Sequence, residues 1–519
     1  MADAAMTATF LAVIGGASLL AVTARRLRPT DRLPSLESWA LADRSLGPVW
    51  TWLLLGGTIF TAYTFTAVPG LAYGNGAPAF FAVPYTVIVC PLAFVLLTRL
   101  WEVARRHGYV TAGDFVRGRY GSAPLALVVA LTGILATMPY LALQLLGIRA
   151  VLTAGGVYPK GGAAGDLVMV ALFAGLAVAT YRHGLRAPAV ISALKAVAVF
   201  VSLTAVCWLV LERSGGPGAV FDGAAARLSG TGVEESALLL APEQQPAYAT
   251  LALGSALALL MYPHVLTAGF AADGPRTVRK VAVALPAWTG LLALFGFLGI
   301  AALAAGVRAP EGGAEAAVPM LVDRLMPGPL AGLVFGAITV GALVPAAVMS
   351  IAAATGFVRN VYVEYFQPTA TPKRQVRIAK VVSLTAKVGA VAFVFGLRDQ
   401  DAINLQLLGG VWILQIFPAV AVGLFTGRLH PRALLAGWGV GMVTGTFLVV
   451  REGFSSIVLL GGGSLEIYAG LLALLLNLTV AVLGTTVLER LGVPRGADAT
   501  DLPSRLTVRR RPETGASNP

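Results

Sequence analysis

Charge is what this chain has least of: 12% of its 519 residues are Asp, Glu, Lys or Arg, about half the share in an ordinary soluble domain. Cysteine is nearly absent. Cys90 and Cys207 both fall inside apolar runs, which excludes a disulfide framework and a cysteine-built zinc site. The four histidines, His107, His183, His264 and His430, are scattered, and only His264 sits deep in an apolar segment. They give neither metal-ligand spacing nor a nucleophile–base–orienter set, so no catalytic residue is assigned and a membrane enzyme is the weaker reading. No filter loop or repeated pore ring marks a channel. The first apolar run has no basic n-region and ends in Arg25-Arg26 instead of a small-residue cleavage site, so it reads as a retained helix. No cofactor motif is present.

What the chain does have is apolar length. It is 57% hydrophobic, with mean hydropathy +0.79. Continuous runs of roughly 20 residues recur throughout, enough to cross a ~30 Å hydrocarbon core as helices; barrel strands would alternate and need only ~10 residues. The pattern predicts an all-α polytopic membrane protein with about 13 spans: 6–25 (I), 48–74 (II), 78–100 (III), 123–152 (IV), 165–181 (V), 188–211 (VI), 247–271 (VII), 281–306 (VIII), 328–358 (IX), 376–396 (X), 402–426 (XI), 432–450 (XII) and 465–489 (XIII). Residues 1–490 form one membrane domain, and 491–519, Pro- and Arg-rich without apolar period, read as a disordered tail.

The net charge of +13 is a topology signal rather than a nucleic-acid footprint. Of the 38 basic residues, 28 lie in loops or tails of one parity, among them Arg25, Arg26, Arg105, Arg106, Arg117, Arg119, Arg276, Arg279, Lys280, Lys373, Arg374 and Arg509 to Arg511. The opposite parity holds six: Lys160, Arg213, Arg227, Arg308, Arg398 and Arg451. The positive-inside rule then puts the N-terminus outside and the C-terminus in the cytoplasm. Alanine and glycine are abundant and arginine far outnumbers lysine, which suits a bacterial plasma membrane. The longest outer loop, 212–246, carries Glu234, Glu235 and Glu243 with little pattern.

Two spans carry residues that interrupt helices. Span II runs from Leu55-Gly56-Gly57-Thr58 through Phe60-Thr61-Ala62-Tyr63-Thr64 to Pro69-Gly70, and span VII contains Met261-Tyr262-Pro263-His264. Interrupted helices near the bilayer midplane free backbone groups for a solute, as in secondary transporters. Five spans apart, they occupy equivalent places in two five-helix units, about 48–211 and 247–426, and predict an inverted repeat.

The run Leu41-Ala42-Asp43-Arg44-Ser45-Leu46-Gly47-Pro48 resembles the "GGRSLGP" segment of the sodium/solute symporter family. Tyr262-Pro263-His264-Val265 resembles that family's "QPH" break, and Gln144 and Val110-Thr111-Ala112-Gly113-Asp114-Phe115 fall where it has similar residues. The likeness covers about residues 38–490. Within the family, Phe60 to Phe65, Met261 to His264 and Val344 to Ala354 are most similar to bacterial monocarboxylate permeases. The resemblance implies a LeuT-like five-plus-five core and a cation:solute symporter importing a small organic anion such as pyruvate or acetate. Sodium-coupled carriage of another small solute (an amino acid, vitamin or sugar) is the alternative.

The resemblance also implies a sodium site with backbone ligands at Gly57, Phe60 and Gly341 and two hydroxyls from span IX. Without gaps those hydroxyl positions fall on Val344 and Pro345, which offer none; the string Ala347-Val348-Met349-Ser350 mimics the motif six residues deeper. Lys195, on span VI where many relatives have Gln, carries a charge into lipid at a cost of roughly 2.5–3.5 kcal/mol on insertion scales. It either snorkels to the membrane surface or fills the vacated cation site and couples transport to protons in place of sodium. Lys387 lies near the middle of span X. Tyr63, Thr64, Gln144, Tyr262, His264, Trp412 and Gln415 are the expected lining of the solute site. Reporter fusions test the topology: a cytoplasm-active reporter at the C-terminus should be active, and the same reporter within 212–246 silent.

Overall fold

The computed structural model describes residues 4–24, 35–156, 167–171, 174, 183–229, 238–396, 402–460 and 465–502. Among them, nine unbroken helices and two bent pairs are long and apolar enough to cross a membrane. The nine are spans I, III, IV, VI, VIII, IX, XI, XII and XIII. The pairs are II (Pro48–Ile59 with Tyr63–Asn75, bent 54°) and VII (Pro242–Leu259 with Pro263–Phe270, bent 50°). Span X forms a 25-residue helix, Pro372–Gly396, outside that set. Predicted span V lies mostly outside the described residues, as do Arg25, Arg26, Lys160, Glu234, Glu235, Arg398 and everything beyond 502, so thirteen spans are not reached among the described residues.

Span IX (Gly328–Phe357, continued by a π-helical stretch Val358–Phe366) is the axis of the molecule. It packs against I, II, IV, VI, VII and X. Its alanine- and glycine-rich sequence explains that position, since membrane helices approach closely only over small side chains. Gly336 lies directly under Val13 of span I, where a Cβ would overlap the valine side chain. Spans XII and XIII pair with each other at the flank and contact XI. A two-stranded hairpin joins them, β1 (Ile457–Leu460) antiparallel to β2 (Leu465–Tyr468). Within 212–246, Pro217–Ser229 forms a helix against span VIII.

The two breaks arise from different local chemistry. In span VII, Pro263 lacks an N–H and opens the second half-helix at its first turn, where no donor is needed. Sterics before a proline push Tyr262 into extended backbone, φ −63° and ψ 131°. In span II the chain leaves the helix at Phe60, φ −91° and ψ 99°, and re-enters through a π-helical turn, Tyr63–Ala67. Pro69, the most obvious breaker in that segment, sits instead in the first turn of the following helix, Val68–Asn75.

The segment Leu41 to Pro48 turns sharply on the face that carries most arginines. Ala42, Asp43 and Arg44 are all left-handed, φ 49°, 59° and 51°, a strained choice for side-chain-bearing residues. Ion pairs and hydrogen bonds hold it: Asp43 with Arg186 at 2.5 Å and Ser38 at 3.1 Å, Arg44 with Glu37 at 2.6 Å and the Tyr109 carbonyl at 2.5 Å.

Span VIII meets span II over Gly299, where a Cβ would overlap the Pro69 carbonyl. Gly299→Leu is expected to cost about 1–3 kcal/mol through overpacking, read as a lower melting temperature of the detergent-solubilised protein.

Candidate functional site

Each helix break strands backbone carbonyls. An uninterrupted span II would bond the Gly57 carbonyl to the N–H of residue 61 and the Phe60 carbonyl to that of residue 64. Instead the chain is extended at Phe60, and Thr64 N–H turns to the Thr61 carbonyl at 2.9 Å. Span IX strands a third. Pro345 lies four residues after Gly341 inside the helix and has no N–H to give it. Three acceptors, from two spans, are left without their helical donors.

All three face one ammonium. Lys195 Nζ donates to the carbonyls of Gly57 at 2.6 Å, Phe60 at 2.7 Å and Gly341 at 3.0 Å. The side chain is fully buried, so it does not snorkel. Three N–H bonds meet three carbonyls, which satisfies both the charge donor and the orphaned backbone. The Phe65 ring closes the remaining side, its centroid 5.2 Å from Nζ, within cation–π range. Gly57 carries no Cβ where Ser192 Oγ and Lys195 Cδ come close.

Val344 and Pro345, which replace hydroxyl ligands in the expected sodium set, are buried beside Gly341. Pro345 contributes by the donor it lacks. The deeper string takes no part: Ser350 Oγ donates to the Ala347 carbonyl within its own turn at 2.9 Å. A free sodium ion does not fit this set while Lys195 is charged. Two unit charges about 3 Å apart repel by about 5 kcal/mol at an effective dielectric of ~20, and the carbonyls are already engaged. Among the described residues no group of three His, Cys, Asp or Glu could hold a metal ion.

A second cluster lies between the breaks. Gln144 of span IV accepts from Ala62 N–H at 3.1 Å and donates to the Tyr140 carbonyl at 3.0 Å. The oxygen end of its amide thus splints the break in span II, and the nitrogen end bonds back within span IV. The Tyr140 ring lies 5.3 Å from both Tyr262 and His264, while Tyr63 packs edge-on to Tyr85. These side chains are fully or almost fully buried. Both ring nitrogens of His264 have no hydrogen-bond partner among the described residues, while the hydroxyls of Tyr63 and Tyr140 make no close hydrogen bond and have only the hydroxyls of Tyr85 and Thr61 near them. Buried polar atoms left unpaired cost about 1–3 kcal/mol each, and such groups call for a partner from outside the chain, a solute or water. Thr64 is buried in the π-helical turn. Tyr262 Oη donates to the Gln406 carbonyl at 3.4 Å.

Trp412 and Gln415, expected to line this site, do not. Trp412 Nε1 donates to Thr446 Oγ1 of span XII at 3.0 Å. Gln415 Nε2 donates to the Val411 and Gly470 carbonyls, and its Oε1 accepts from Asn477 Nδ2 of span XIII at 3.2 Å. Both face the XI–XII–XIII seam because the side of span XI that meets the tyrosines runs instead through Gln406 and Gly409. Lys387 is buried on span X with Ser383 Oγ at 3.1 Å. Tyr140 went unnoticed in the sequence; its spacing of one helical turn from Gln144 is the signal that places both on one face.

Two broken helices in a buried helical bundle, each with polar groups near its break, are the architecture of a membrane transporter. A model of the sodium:solute symporter family matches residues 39–441, and the chain belongs to that family. It is 45% identical to a monocarboxylate transport permease protein of Rhizobium johnstonii (strain DSM 114642 / LMG 32736 / 3841) over 91% of this chain and 94% of that one. It is 31% identical to an uncharacterized symporter, YodF, of Bacillus subtilis (strain 168), covering 80% and 82%. A solved Na+-coupled sialic acid symporter, in a substrate-bound outward-open state, shares the LeuT-like fold with a TM-score of 0.75 over 93% of this chain and 98% of its own, at 14% identity.

Gln144→Leu leaves the Ala62 N–H without an acceptor and is expected to cost about 1–3 kcal/mol, seen as lower thermal stability together with lost uptake. Trp412→Phe should leave the substrate KM unchanged.

Proposed function

We propose that this protein imports short monocarboxylates across a bacterial plasma membrane by alternating access, one proton accompanying each anion, without sodium. The observation that carries the reading is Lys195 Nζ seated on the carbonyls of Gly57, Phe60 and Gly341. The thirteen-span, five-plus-five inverted-repeat arrangement supplies the frame, and the matched bends in spans II and VII support it. The arginine-rich face is the cytoplasmic one.

The protonated amine uses three donors for three acceptors. A neutral amine keeps two N–H bonds and turns a lone pair toward the third carbonyl, which it repels. Deprotonation therefore loosens span II from spans VI and IX, and protonation draws them together. The substrate carboxylate binds between the breaks, taking hydrogen bonds from Tyr63, Tyr140 and a ring N–H of His264. The N-terminus of the half-helix Pro263–Phe270 adds positive potential there. One carboxylate and one proton move together, so the cycle carries no net charge. The 45% identity to a protein named a monocarboxylate permease favours this class of solute.

Sodium coupling is the second reading, favoured by the family membership and by the Na+-coupled neighbour of the same fold. Proteoliposome uptake of pyruvate or lactate separates the two, with protein-free vesicles correcting for passive entry of the acid. The expected result is accumulation driven by an acid-outside pH gradient in sodium-free buffer and abolished by a protonophore. Lys195→Met should lose that accumulation at least about tenfold. A strict need for a sodium gradient, with the pH response of Lys195→Met intact, would sink the proposal.

A further inference from the structure

The stretch after span XIII was expected to be disordered, yet residues 491–502 lie folded along the arginine-rich face. Its contacts are specific. Arg495 reaches the Gly427 carbonyl at 2.9 Å and pairs with Glu489. Gly496 lies against the Tyr120 backbone so closely that a Cβ would overlap its carbonyl. Ala499 N–H donates to the Gly118 carbonyl at 2.8 Å. Arg119, whose side chain is fully buried, donates to Asp498 Oδ2 at 2.5 Å, Thr500 Oγ1 at 3.3 Å and the Leu502 carbonyl at 3.2 Å. Its Nε donates to the Gly423 carbonyl at 2.9 Å. His107 Nε2 lies 3.2 Å from the Thr500 carbonyl.

These contacts join three separate helix ends. His107 ends span III, Arg119 belongs to the linker helix Ala112–Tyr120 that leads into span IV, and Gly427, the acceptor for Arg495, lies just past the end of span XI. The strap also touches the lining of a cavity on this face. One cavity, lined by Pro263, Thr267, Ala353, Gly356 and Asn360, runs from the break in span VII. A second, of about 220 Å³, shares Asn360 with it and is lined by Asp114, Arg117 and Gly118. Gly118, in the lining of the second cavity, is the residue that Ala499 binds.

We propose that residues 495–502 are a latch that holds this face shut. Opening the path toward the arginine-rich side separates the ends of III, IV and XI, and a segment bonded to all three resists that movement. Release of the strap is then a step of the transport cycle, and its strength sets how often the site empties on that side. Asp498 gives the latch its strength, because it supplies a charged acceptor to a buried guanidinium. Gly496 gives it fit, because only a residue without a Cβ lets the strap lie on Tyr120.

The test reads accessibility, which does not depend on the solute or the coupling ion. Thr267→Cys is introduced into the full chain with Cys90 and Cys207 replaced by Ser, and inside-out vesicles are labelled with a membrane-impermeant maleimide. Adding Asp498→Asn, or separately Gly496→Ala, is expected to speed labelling of Cys at 267 at least about threefold. Both changes lie outside the spans, and labelling is compared on the monodisperse fraction after extraction. Labelling that is unchanged or slower in both variants overturns the latch. So does equal acceleration of a control cysteine placed at buried Val278 of the helix Pro275–Ala284, on the same face and away from the strap, which would report general loosening.

Discussion

The interaction on which the rest depends is an ammonium bonded to three backbone carbonyls that no helix can satisfy. Breaking a helix in lipid is costly unless the stranded groups find partners. Burying a lysine is costly unless its charge does. Here each debt cancels the other. The break in span II and the proline in span IX supply the acceptors, and Lys195 of span VI supplies the donors. Removing either side leaves the other exposed to an apolar interior, so three spans are fixed relative to one another by one side chain.

That constraint also orders the neighbouring solute site. With the break in span II held from below by Lys195 and from the side by the Gln144 amide, the backbone at Ala62 and Tyr63 has little freedom. Tyr140 can then stay buried against His264, whose ring nitrogens are left unpaired. A pocket whose walls are already paid for elsewhere can hold its donors ready for a ligand.

Much of this was legible from sequence because membrane helices obey coarse rules. Apolar length located the spans, and Pro263 marked the break in span VII through a local backbone effect. The carbonyls of Gly57, Phe60 and Gly341 were singled out by family resemblance as ion ligands, and in the structure they meet Lys195 instead. Side-chain direction was not legible at Trp412 and Gln415. In a helix that is apolar all round, periodicity does not tell the solute side from the seam with spans XII and XIII. Pro69 misled for a related reason: a proline in the first helical turn and one at a break look alike in a string of letters. The strap was hidden because its hold comes from backbone fit and one buried arginine, not from an apolar pattern.

A lysine head group seated on three stranded carbonyls differs from a diffusing ion in how its place is filled. A diffusing ion fills its site in proportion to its concentration outside, and the site empties in dilute medium. Lys195 is attached by its own side chain, so its effective concentration at the three carbonyls is set by covalent geometry. Occupancy of that position is therefore indifferent to the salinity of the surroundings.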